Sequence, residues 1–118
     1  MAGEEAVILA NCRLLASKLG LVLSRNNCGA LKDSFGRFVK FGVFSPGGAD
    51  LIGWQSKVIT PDLVGKSVAQ FVAIECKSKN GILSEEQTRF LKAVTEAGGL
   101  AGVVRRDEDL YRITGLLK

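Results

Sequence analysis

Histidine is absent from the 118-residue chain, and no other gap in the composition removes as many functions. Catalytic triads, histidine general bases, histidine-ligated nucleases and most zinc enzymes are excluded or disfavoured. Cysteine is sparse: Cys12, Cys28 and Cys76 are an odd number standing 16 and 48 residues apart. That spacing fits neither a disulfide framework nor a zinc CxxC pattern, so reduced core or semi-core thiols are expected. There are two prolines, no low-complexity tract and no internal repeat, so nothing argues for disorder. No apolar run approaches the ~18 residues of a membrane span, and Glu4 and Glu5 stand where a basic leader would begin. A cytoplasmic or nucleoid-facing chain without a membrane partner is expected. Its length suits one domain over residues 1–118, built around one site.

What is present begins with charge. The net charge is +4, unevenly spread: residues 6–83 hold ten Lys/Arg against four Asp/Glu, while residues 84–118 balance at six and six. Arg13, Arg25, Lys32, Arg37, Lys40, Lys57, Lys66 and Lys79 could neutralise phosphates. A merely solvated surface explains the same charges equally well.

Periodicity supplies the elements. Residues 4–19 place Ile8, Cys12, Leu15 and Leu19 at three- and four-residue steps behind two acids and before Gly20, which predicts an amphipathic helix. GLVLSR reads as a strand ending in a polar turn at Asn26 and Asn27, and residues 36–44 as a second strand. Residues 50–55, DLIGWQ, form a third, entered through a tight glycine turn, and residues 56–69 a surface loop. FVAI within residues 70–77 is apolar on both faces, as in a central strand buried from both sides. Ser84 caps a helix carrying Glu85 and Glu86 in its first turn and closing at Gly98. LAGVV is a last strand, and residues 107–116 a short helix or hairpin. The order predicts a mixed sheet flanked by helices.

VGKS at 64–67 matches the end of a phosphate-binding loop, but the required earlier glycine falls on Thr60 and Pro61 follows it. No nucleotide cofactor is expected. The chemistry lies elsewhere. Residues two apart on a strand share a face about 6.5–7 Å apart, so Glu75 and Lys77 point one way and Cys76 the other. A buried carboxylate needs a partner or a metal. Alternatively, the strand ends at Ala73 or Ile74 and the charges are solvated. Asp50 bears on the choice, because aspartate is depleted in strands and this one opens an apolar strand after a glycine turn. Asp, then Glu-x-Lys, supplies two hard oxygen ligands and a cation.

These residues resemble the virus-type replication-repair nuclease domain, VRR-NUC, of the PD-(D/E)XK nuclease superfamily. The likeness runs from Glu5 and Ile8, through RNN at 25–27 and GGADLIG at 47–53, to IECKSKNGILSEEQ at 74–87. Its specific part is G-x-D-L-I followed by E-x-K-S-x-x-G-x-L-S-x-x-Q. It implies a restriction-endonuclease-like α/β fold, with Asp50, Glu75 and the backbone carbonyl of Cys76 on a catalytic Mg²⁺ for which Mn²⁺ substitutes. Lys77 would orient or deprotonate the attacking water and steady the phosphate. Glu5 matches the family's first-helix acid, with Glu4 the register alternative, and Leu9 stands where the family often has glutamine. Gln87 matches the motif glutamine near the active site, although Ser84-x-x-Gln87 is also a capping box. Arg25 and Asn27 would contact DNA or shape the site, turn formation explaining Asn27 as well. Lys40, Lys57 and Lys79 are further DNA-contact candidates. The implied activity is phosphodiester hydrolysis leaving 3′-hydroxyl and 5′-phosphate ends. A domain this small has little surface for base readout, and the stand-alone members resemble bacterial or phage enzymes acting on branched DNA. A homodimeric, junction-resolving endonuclease in a bacterial or phage-infected cytosol is therefore expected; a monomeric flap or nicking enzyme and a non-catalytic DNA-binding module are the alternatives.

Overall fold

A computed structural model describes residues 3–115. The chain divides into two compact units, Met1–Ser56 and Lys57–Lys118.

The first unit opens with α1 (Glu4–Ala16), whose first turn carries Glu4 and Glu5 where helix N–H groups point outward and favour negative charge. The chain leaves the helix through Ser17 and a left-handed Gly20. The predicted apolar stripe exists but is not buried: Ile8, Leu15 and Leu19 are all about half exposed, and Ala16 alone in the helix is buried. Strand β1 (Leu21–Arg25) pairs antiparallel with β4 (Leu51–Gln55), Arg25 opposite Leu51 and Leu21 opposite Gln55. Between them lies a hairpin of β2 (Gly29–Lys32) and β3 (Phe38–Phe41).

The β2 strand escapes a propensity reading because Gly, Ala and Lys are poor strand formers. The hairpin is specified by its turn instead. Asp33 N–H donates to the Arg37 carbonyl at 2.8 Å, Gly36 N–H donates to the Asp33 carbonyl at 3.0 Å, and Gly36 takes φ +78°. Only glycine adopts that conformation without strain. The Asp33 carboxylate then accepts the Phe35 N–H, the Arg37 N–H and Arg37 Nε, each at 2.9 Å. The hydrogen bond from the Arg37 backbone holds the Asp33 carboxyl below its ordinary 3.8, burial opposing and the Phe35 amide assisting. A depressed folded-state pKa contributes order above 3.8 that is lost as pH falls through the lower folded value. Amide shifts of Phe35 and Arg37 are therefore expected to titrate together below pH 3.8, and to stop doing so in Asp33→Asn. Titration at or above 3.8 would contradict the turn geometry.

The second unit begins with a loop containing one 3-10 turn at Pro61–Leu63. Strand β5 (Val72–Cys76) runs parallel to β6 (Leu100–Val104), with Glu75 opposite Val103. Between them comes α2 (Glu85–Glu96), and α3 (Asp107–Thr114) follows, ending at a left-handed Gly115. Both helices pack on β6 and α2 also on β5. Val94, 1% exposed, is the centre of this packing. The terminal segment, open as helix or hairpin in the sequence, is a helix; position 116 lies outside the described residues.

Parallel and antiparallel pairing both occur, as a mixed architecture requires, but among the described residues the strands form three two-stranded ladders, not one sheet. Nor is β5 buried from both sides: Val72 is 49% exposed and its only ladder partner among the described residues is β6. Apolar runs report hydrophobicity, and they do not count ladder partners. The cysteines also differ from expectation, since Cys12 and Cys76 are exposed and Cys28 is half-buried, all three as free thiols. Among the described residues no helix is long and apolar enough to cross a membrane.

Candidate active-site residues

In the first unit the site is assembled by a buried asparagine. Asn26 is 6% exposed, and its carboxamide spans two distant pieces of chain. Its Nδ2 donates to the carbonyls of Val43 and Ala49, both at 3.0 Å, and to Cys28 Sγ at 3.3 Å. Its Oδ1 accepts the Val43 N–H at 2.8 Å. The Asn26 N–H donates to the Asp50 carbonyl at 2.8 Å, which extends the β1–β4 ladder to the residue immediately before β4. Gly48 permits this closeness: a Cβ there would collide with the Val43 carbonyl and crowd Asn26 Nδ2. The tight turn before Asp50 thus has the close backbone approach that its glycines suggest.

Asp50 emerges from that turn with its side chain 79% exposed. Arg25 lies beside it, with Nη1 donating to the Asp50 carbonyl at 3.0 Å and to the Asn26 carbonyl at 3.2 Å, and standing 3.4 Å from Asp50 Oδ1. These contacts hold Arg25 against the Asp50 turn. Glu5 and Leu9 of α1 line one depression with Asp50 and Leu51. The first-helix acid thereby shares a concave surface with the turn aspartate.

In the second unit, Glu75 sits on β5 and Lys77 just beyond it, the Lys77 N–H still donating to the Val104 carbonyl at 3.1 Å. Strand alternation places both side chains on one side, with Lys77 Nζ 3.9 Å from Glu75 Oε1 and the two side chains 22% and 32% exposed. These charges belong to a continuing ladder, so the reading of a strand that ends at Ala73 or Ile74 does not hold. Gln87 completes the group. Ser84 Oγ accepts the Gln87 N–H at 3.0 Å and Gln87 Oε1 accepts the Ser84 N–H at 2.9 Å, a full capping box. The remaining Gln87 Nε2 donates to Glu75 Oε1 at 2.9 Å. One amide therefore caps α2 and orients the carboxylate. Cys76 alternates to the other side, where its thiol is exposed and not packed as the sequence suggests.

The VRR-NUC domain family matches residues 5–107. The chain belongs to the VRR-NUC family. No curated protein and no solved structure matches it. Membership in VRR-NUC gives the chain a nuclease-type function with DNA as the substrate.

Within this VRR-NUC chain the structure brings Glu5 together with Asp50, and Glu75 together with Lys77 and Gln87. Among the described residues no three His, Cys, Asp or Glu side chains form a metal-holding group. Gln87 and Lys77 both address Oε1 of Glu75. Asn27, Lys40, Lys57 and Lys79 are all exposed.

Sequence reasoning missed two organising residues. Asn26 looks like a turn former, and only the fold brings Val43 and Ala49 to its amide. Arg105 looks like surface charge, yet its Nη1 donates to the carbonyls of Ser78 at 2.6 Å and Gly81 at 2.8 Å, fixing the turn that carries Lys79. Its spacing from Glu75 offers no signal, because the contact follows from β5 pairing with β6.

Proposed function

We propose that the chain is a Mg²⁺-dependent, structure-selective endodeoxyribonuclease that hydrolyses phosphodiesters in branched DNA as a homodimer. The observation that carries this reading is the Glu75 carboxylate held by Gln87 and paired with Lys77, on a nuclease-family chain. A carboxylate braced in this way keeps a fixed oxygen for a ligand. Lysine beside it supplies a cation without using histidine.

Asp50, Glu75 and the Cys76 carbonyl would hold the ion, all three being hard oxygen donors of the kind Mg²⁺ prefers. When bound, Mg²⁺ supplies charge neutralisation at the scissile phosphate and a water of lowered pKa, with Mn²⁺ able to replace it. Lys77 orients the attacking water, takes its proton or steadies the phosphate with its charge. Gln87 keeps the Glu75 carboxylate in one rotamer through the capping box. Glu5 adds a second carboxylate to the depression that Asp50 lines. Lys79, Lys57, Lys40 and Asn27 contact the backbone around the branch, the products carrying 3′-hydroxyl and 5′-phosphate ends. Two copies are called for because resolving a four-way junction takes paired cuts in opposed strands.

A cleavage panel of four-way, flap, splayed, duplex and single-stranded DNA in Mg²⁺ tests the proposal. Paired cuts on the four-way junction by a chain that sediments as a dimer are the expected result. Equal cutting of all five substrates would sink the structure selectivity. Cutting of flaps alone by a monomer would replace the resolving reading, and binding without cutting in Mg²⁺ or Mn²⁺ would reduce the protein to a DNA-binding module.

A further inference from the structure

The β2–β3 hairpin has two unlike faces. Cross-strand partners share a face, so Leu31 with Val39 and Gly29 with Phe41 lie on one side, while Ala30 with Lys40 and Lys32 with Phe38 lie on the other. The first side is apolar, with the Phe41 ring lying over Gly29. The second alternates cation and aromatic ring. Phe38 is 72% exposed and Phe35, in the turn, 82% exposed, values at which a phenylalanine contributes little to its own fold. Each ring carries a cation: Lys32 Nζ lies 5.4 Å from the Phe38 centroid and Arg37 Cζ 5.2 Å from that of Phe35.

Exposed rings beside cations are the elements of a surface that stacks nucleobases and neutralises their phosphates. Two further features favour that occupant. The turn is fixed by five hydrogen bonds around Asp33 and Gly36, so holding the Phe35 ring for a base costs little additional ordering. Asn26 also binds Val43, where the chain leaves the hairpin, and Ala49, the neighbour of Asp50. The hairpin and the Asp50 turn are therefore held by one amide. Asp33 is the only acid in the hairpin, and its charge is answered by Arg37. Lys32 and Lys40 remain for phosphate.

We propose that the β2–β3 hairpin is a base-stacking wedge, with Phe35 and Phe38 taking unpaired bases at a DNA branch point while Lys32 and Lys40 neutralise the adjoining phosphates. The assignment rests on the nuclease reading for its substrate, and it adds the means by which branched DNA is told from duplex.

The test measures binding without divalent metal, so that it does not depend on cleavage. The probe is a splayed-arm DNA with 2-aminopurine at the first unpaired position, against a fully paired duplex of the same length. Phe35→Leu/Phe38→Leu keeps apolar bulk and removes the rings. The double variant should bind the splayed DNA about 10- to 100-fold more weakly and lose the 2-aminopurine quenching, with a smaller loss on duplex. Its salt slope should match that of the unmutated chain, whereas Lys32→Ala/Lys40→Ala should flatten the slope by about 1.5. Phe35→Trp/Phe38→Trp should bind at least as tightly as the unmutated chain, which separates stacking from simple loss of fold. Unchanged affinity and quenching in the leucine variant would overturn the wedge. So would a leucine variant that loses binding only as it passes from dimer to monomer in sedimentation, since the hairpin would then be a contact between copies. A chain that binds by this hairpin but cuts nothing would keep the wedge and refute the nuclease mechanism.

Discussion

Lys77→Met is expected to slow Mg²⁺-dependent cleavage about 10³-fold while moving the melting temperature by less than about 4 °C. The two effects separate because Lys77 does two things. Its stem packs against the turn at Gly81, where a Cβ would lie 3.4 Å from both Lys77 Cβ and Cδ, and its ammonium stands 3.9 Å from Glu75 Oε1. Methionine keeps the stem and removes the charge, whereas alanine removes both and confounds activity with packing. An ion pair with side chains 22% and 32% exposed contributes less than about 1 kcal/mol to folding. Under the proposed mechanism the same cation would face a phosphate that gains charge in the transition state, where it would count for several times more. Glu75→Gln should lose activity comparably, and it should also raise the Mg²⁺ concentration needed for half-maximal rate, because an amide is a weaker ligand than a carboxylate. Asp50→Asn should behave like Glu75→Gln. The double variant Glu75→Gln/Lys77→Met should be scarcely slower than either single one, since residues acting as a unit are not additive. Lys77→Met cutting branched DNA at the unmutated rate would remove Lys77 from the mechanism.

The legible and illegible parts of this molecule divide by range. Gln87 is legible in two ways: Ser84-x-x-Gln87 sets the cap by local pattern, while its place near Glu75 is implied by the VRR-NUC resemblance and not by spacing. Helix α2, strand β4 and the Glu75–Lys77 side follow from local pattern in the same way. The stripe on α1 is equally plain in sequence, yet Ile8, Leu15 and Leu19 stay about half exposed, because period identifies a face without naming what covers it. Strand β2 is invisible to propensity; its partner FVKF and the DSFGR turn hold it in place. Ladder membership is set by pairing across the chain, so the expectation of one mixed sheet gave way, among the described residues, to three ladders. The roles of Arg105 and Asn26 come from contacts 24 to 27 and 17 to 23 residues away respectively, which no window reveals.

Asn26 and Asn27 are adjacent and alike in sequence, and they should differ sharply when changed. Asn26→Ala is expected to destabilise the protein by about 3 kcal/mol, equivalent to a fall of about 10–15 °C in melting temperature. Asn27→Ala, at an exposed position, should stay within about 0.5 kcal/mol. The asymmetry follows from what each deletion strands. Removing the Asn26 carboxamide leaves the Val43 N–H and the Val43 and Ala49 carbonyls without their partner, and each orphaned group costs about 1–3 kcal/mol, part of it recovered by entering water. Asn26→Asp is the sharper variant. A carboxylate has the same shape and still accepts the Val43 N–H, but it cannot donate, so it faces two carbonyl oxygens at about hydrogen-bonding distance with nothing to offer them. It should therefore be no better than alanine at neutral pH and should recover partly as acid protonates it. Below both melting temperatures, Asn26→Ala should still lower the cleavage rate more than Asn27→Ala, because the amide that fixes Ala49 also fixes the entry to Asp50. If Asn26→Asp melts with the unmutated chain at neutral pH, the amide is not what holds the Asp50 turn in place.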